Sequence, residues 1–113
     1  MTSFTVAERR TIVCKDPSPG VLVCYMVDSE NQEFQCEDEI DPVDDNLRQR
    51  CKLNCPEAPR LTATQKTGYK NFHDCIKFVN YNSEWRGLED DYYMWAKLPC
   101  TGNLTTWCQF NDN

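Results

Sequence analysis

Histidine is all but missing from this chain: His73 stands alone among 113 residues. A nucleophilic triad therefore has one imidazole to draw on, and histidine-paired metal sites have none to spare. Glycine is nearly as scarce. Gly20, Gly68, Gly87 and Gly102 are isolated from one another, which rules out a glycine-rich phosphate loop. No apolar run reaches the length of a membrane helix. No signal peptide is visible either, since Met1-Thr2-Ser3-Phe4 leads straight into polar sequence. The chain is thus expected to be a mature form, with Met1 added for expression. Basic residues are absent from Asp16 to Leu47. With a net charge of -6, nucleic acid and anionic membrane are excluded as main partners.

Cysteine, in contrast, is abundant: Cys14, Cys24, Cys36, Cys51, Cys55, Cys75, Cys100 and Cys108. An even count spread along one domain-sized chain predicts up to four disulfides made in an oxidising compartment. Zinc is the rival, but its sites want paired ligands at short spacing. The one close pair here is Cys51-x3-Cys55. Neither a metal nor a cofactor is expected. A calcium loop starting at Asp28 fails as well, because its sixth residue is Glu33 where a glycine is required. With all eight thiols in disulfides, no cysteine nucleophile remains.

Charge is unevenly placed. Half of the 18 acids fall between Asp28 and Asp45, and seven Lys or Arg against two acids follow from Arg48 to Lys77. Two readings stand: the regions face each other across the fold, or the acids form a face for a basic partner.

The local pattern predicts an α+β domain, an antiparallel sheet with two helices packed on it. Strands are expected at Thr11–Cys14, Val21–Val27, Glu33–Cys36, Tyr92–Leu98 and Thr105–Phe110, where β-branched and aromatic residues gather. Asp16-Pro17-Ser18-Pro19-Gly20 is a turn. A first helix is expected from Asp44 or Asp45 to about Asn54, stopped by Pro56, with acids at its positive end. Cys51 and Cys55 would share one face of it and bridge to two separate strands. A second helix is expected over Tyr69–Asn80, with Tyr69, Phe72, Ile76 and Val79 inward and His73 outward between Lys70 and Lys77. Residues 1–10 read as a flexible arm, in which Arg9-Arg10 is a dibasic cleavage candidate; residues 11–113 form the single domain.

Two groups are candidates for binding. Asp38, Glu39 and Asp41 lie in the acid run Glu37–Asp45, expected as a solvated loop between Cys36 and the helix. Trp85, Tyr93 and Trp95 belong to the aromatic last third. Strand alternation separates Tyr92, Met94 and Ala96 from Tyr93, Trp95 and Lys97, so one set can be exposed as anchors. Asn103-Leu104-Thr105 is a glycosylation sequon, with Asn103 the acceptor.

In length, cysteine count, acidic charge and the dibasic pair, the chain resembles the small secreted cysteine-rich proteins of plant-associated fungi, the effector type. That resemblance implies a secreted, extracellular, non-enzymatic protein, working in the host apoplast or in host cells by binding a host protein. A monomer is expected. The alternatives are a secreted protease inhibitor, toxin or ligand of animal origin, for which Pro56–Thr67 is the candidate reactive loop, and a small hydrolase.

Overall fold

A computed structural model describes residues 4–55, 60–61, 65–67 and 75–112 of the chain. They form two antiparallel sheets, and no helix occurs among them. The first sheet joins β1 (Phe4–Ser18), β2 (Val21–Val27), β3 (Glu33–Gln35) and β10 (Gly102–Asp112), with β6 (Arg60–Leu61) and β7 (Gln65–Thr67) both against β10. The second runs β4 (Glu37–Ile40), β5 (Leu47–Lys52), β9 (Asp91–Ala96), β8 (Tyr81–Arg86).

The spine of the first sheet is the β1–β10 ladder, in register from Phe4 opposite Asp112 to Cys14 opposite Gly102. Residues 4–10, expected as a flexible arm, are the first half of this ladder. Within it Arg10 is buried. Its guanidinium donates to the carbonyls of Leu53 (2.7 Å), Asn54 (3.1 Å) and Arg9 (3.0 Å). These bonds tie the segment after β5 to the other sheet. They also place the Arg9-Arg10 peptide in a paired strand rather than in a loose processing site. Between β1 and β2, Gly20 takes a φ of 78° with open space where a Cβ would stand, so the turn geometry itself calls for glycine.

The two predicted helices are overturned. Residues 47–52 form β5, a central strand. Its side chains alternate: Gln49 and Cys51 point inward, while Arg48, Arg50 and Lys52 point out. The inward Gln49 masks this two-residue period. The carboxylates before it, together with the four-residue cysteine spacing, mimic a helix start. In the second predicted helix, Tyr69, Phe72, His73 and Lys70 lie outside the described residues. Cys75–Asn80 is a turn, and Ile76 and Val79 are exposed rather than packed. The strands expected from β-branched and aromatic residues are present as β1, β2, β3, β9 and β10.

Between the sheets lies a core of Ile12, Met26, Leu53, Tyr81, Met94, Ala96 and Leu104 interleaved with buried cysteines. Four disulfides close it: Cys14–Cys24, Cys36–Cys51, Cys55–Cys108 and Cys75–Cys100. Cys51 and Cys55 thus bridge to separate partners, although from a strand and its following segment, not from a helix. Two of the bridges run between the sheets. Cys36 hangs on β2 through its N–H to the Cys24 carbonyl (3.1 Å) and bonds Cys51 of β5, and Cys55 reaches Cys108 of β10. Buried Gln49 adds a polar link. Its Oε1 accepts from the Cys24 N–H at 3.1 Å, and its Nε2 donates to Asp38.

A peptide map of the intact protein should return these four pairings, and a Cys51–Cys55 bridge would contradict the fold. Replacing Cys55 and Cys108 by Ala opens a loop of 53 residues, for which chain entropy predicts a loss of about 4 kcal/mol. The 10-residue Cys14–Cys24 loop predicts about 3 kcal/mol. Denaturant titration should rank the two in that order.

Candidate interaction surface

Strand alternation places Glu37 and Glu39 of β4, Arg48 and Arg50 of β5, Tyr93 and Trp95 of β9, and Glu84 and Arg86 of β8 on the outer face of the second sheet. Glu39 stands on one edge strand and Arg86 on the other, yet their side chains meet across the two strands between them. Arg86 donates to both carboxylate oxygens of Glu39, at 2.7 and 2.9 Å. Arg48 adds a third bond at 2.8 Å. Under this bridge lie the rings: the Arg86 guanidinium sits 4.6 Å from the centre of Tyr93, and that of Arg48 4.7 Å from Trp95. Lys97 continues the layer, binding Asp41 at 2.9 Å and Asp44 at 2.7 Å. Arg50 pairs with Glu37 at 2.7 Å.

The electrostatics follow from these contacts. Hydrogen bonds from Arg86 and Arg48 outweigh burial and hold the Glu39 carboxyl at about 2, well below its ordinary 4.5. The Val43 N–H and Lys97 lower Asp41, and Lys97 lowers Asp44. Glu39 in turn raises Arg86, and Asp44 and Asp41 raise Lys97. Burial raises Tyr93. Glu39, Asp41 and Asp44 are thereby held in the ionised form, and Arg86 and Lys97 in the cationic form.

This geometry redistributes the residues singled out in the sequence. Trp95 and Tyr93 are only 9% and 8% exposed, because the ion-paired side chains lie over them. They are packed rings, not free anchors. Glu39 and Asp41 are partners in the same layer, and Asp41 is buried; the acid run is half strand and half tight turn, not a solvated loop. Asp38 stays exposed on the opposite side of β4, bonded to Gln49. Trp85 is 41% exposed and rests edge-on against Tyr92, with ring centres 5.1 Å apart. Asn103 lies at the start of β10 between Val13 and Thr67. Most of the candidate reactive loop lies outside the described residues, and its described pieces, Arg60–Leu61 and Gln65–Thr67, pair with β10.

Sequence reasoning missed an apolar end of the molecule. Phe78 is 71% exposed and holds a φ of 70°, a left-handed conformation that costs a bulky residue about 1–3 kcal/mol. The surroundings impose it. Cys75, just before, is bonded to Cys100. Asn80 accepts from the Ile76 N–H (3.4 Å) and donates to the Leu98 carbonyl (3.4 Å). The Phe78 N–H bonds the Tyr81 carbonyl at 2.8 Å. Ile76 and Val79 of the same turn are exposed too. Beyond Leu98, a groove of about 250 Å³ opens at the seam of the sheets, walled by Val21, Leu22, Leu47 and Leu98. Ile40, opposite Leu47, is exposed as well. One signal was available: Ile76, Phe78 and Val79 sit on both sides of any single helix face, and only the helix reading buried two of them.

These features define a small cystine-rich domain of two antiparallel sheets, with a locked charged face and an apolar end. Four disulfides in so small a domain are consistent with an extracellular protein. The chain belongs to the family described as a domain of unknown function (DUF7808), whose family model matches residues 8–113. No curated protein and no solved structure matches the chain.

Because the Glu39 carboxyl is lower in the folded chain than its unfolded value of 4.5, the stability it contributes is full above that pH. It is lost as pH falls toward 2. Urea titrations between pH 7 and pH 2.5 should therefore show falling stability. Glu39→Gln should be weaker at pH 7, by about 2 kcal/mol, and should have a flatter acid limb. A variant with the wild-type acid limb would remove Glu39 from this role.

Proposed function

We propose that this protein is a secreted, extracellular, non-enzymatic domain that works by binding another protein through its apolar end. One observation carries the reading: an aromatic side chain is held exposed, in a strained backbone conformation, by a disulfide and a buried asparagine. Fixing Phe78 outward costs free energy in the isolated domain, and that cost is recovered when a partner covers the ring. Neighbouring Ile76 and Val79 enlarge the apolar area that a partner would remove from water.

The charged face supports the non-enzymatic part. A general acid or base works best when its pKa lies near the operating pH. Glu39, Asp41 and Asp44 are instead pushed down, and Lys97 and Arg86 up, by their mutual contacts. The resemblance to effector-type secreted proteins agrees with this reading and names a host protein as the partner class.

The test is a binding screen of the oxidised domain against an array of purified extracellular protein domains, followed by titration of each hit. Phe78→Ser should keep the wild-type melting temperature, since the ring is exposed. It should weaken a specific hit at least tenfold, about 1.4 kcal/mol. Hits that bind Phe78→Ser as tightly as wild type would overturn the assignment of the apolar end.

A further inference from the structure

We infer that the groove at the sheet seam receives a single aliphatic side chain of the partner, set next to a lysine or arginine that pairs with Asp38. The inference rests on the protein-binding reading above and names the chemistry of the segment that docks.

Size gives the first argument. Pockets for drug-sized ligands run to roughly 300–1,000 Å³, whereas this groove encloses about 250 Å³. That suits one anchoring side chain better than a free small molecule. Its walls give the second. Val21, Leu22, Leu47 and Leu98 are aliphatic, and of the three polar side chains beside them, Asp38, Arg48 and Gln49, the last is already hydrogen-bonded through both amide atoms. Its amide oxygen accepts from the Cys24 N–H, and its amide nitrogen donates to Asp38. Both amide atoms of Gln49 are engaged within the protein, so an aliphatic anchor leaves neither of them without a partner.

Charge gives the third. Arg48 also lines the groove, but its guanidinium is held by Glu39 at 2.7 Å and Asp41 at 3.6 Å and stacks on Trp95. It is spent. Asp38 is exposed, and only one of its carboxylate oxygens has a partner among the described residues, the one bonded by Gln49. The residues from Gly20 to Leu47 that line the groove come from the stretch of chain without a single Lys or Arg. Lys97, beside Leu98, is neutralised by Asp41 and Asp44. The rim is therefore net negative, and a cation beside the aliphatic anchor meets a carboxylate whose second oxygen has no partner among the described residues.

The probe is a random dodecapeptide display library, panned on the intact, oxidised protein. Enriched peptides should share a Leu, Ile or Met within two positions of a Lys or Arg. Leu47→Asp should weaken their binding at least tenfold; Leu47 is 63% exposed, so this variant should fold, which its melting temperature checks. Asp38→Asn should weaken binding several-fold and flatten its salt dependence, while still accepting the Gln49 bond. Absence of enrichment, or peptides insensitive to Leu47→Asp, would overturn the inference. Enrichment without a basic residue, or indifference to Asp38→Asn, would overturn its charge component. Protein hits lost in Phe78→Ser but unaffected by Leu47→Asp would leave the proposed function standing while this inference falls.

Discussion

Sulfur does much of the work of a hydrophobic core in this domain. Among the described residues the central cluster has thirteen buried members, and six of them are cysteines, Cys14, Cys24, Cys36, Cys51, Cys75 and Cys100. A chain of this size buries a modest apolar area, and cross-links offset the entropy that this area alone leaves uncovered. The placement of the bridges matters as much as their number. Cys36–Cys51 and Cys55–Cys108 run from one sheet to the other, so that strands from distant parts of the chain are held face to face. Arg10 and Gln49 reinforce the same junction with hydrogen bonds to the backbone at Leu53, Asn54 and Cys24.

That junction frees the outer face of the second sheet from any need for a third layer over Tyr93 and Trp95. Arginines and glutamates lying over the rings exclude water from them and satisfy one another. Arg86 reaching Glu39 from the opposite edge closes the sheet over its own aromatics. Long cationic side chains do this well because their stems are apolar while their heads stay in contact with carboxylates. The charged groups of this face are consumed in the process, which is why the proposed binding surface is the apolar end. There the Cys75–Cys100 bridge and Asn80 hold an exposed Phe78.

Some of this was legible in the residues alone. Val21–Val27 and the aromatic run of β9 carry strong strand propensity, and the burial of β2 and β9 follows it. Cysteine count and spread pointed to disulfides without any structure. Other features were not legible. Leu47–Lys52 has no apolar alternation, because the residues that face inward are Gln49 and Cys51, and a glutamine facing a core makes sense only once Cys24 is opposite it. The run Cys75–Asn80 has apolar residues at helical spacing, yet a positive φ at Phe78 and the pull of the Cys100 bridge keep it a turn.

The amino-acid sequence by itself determined that this chain would be cystine-bonded, acidic and rich in β-forming residues, since these properties are sums over individual residues. The tertiary structure decided which cysteines pair, which acids are neutralised and which apolar residues stay in water. Glu39 meets Arg86 47 positions away, and Cys55 meets Cys108 across 53. Contacts at such separations are selected by how whole strands stack and register, and local propensity carries no information about them.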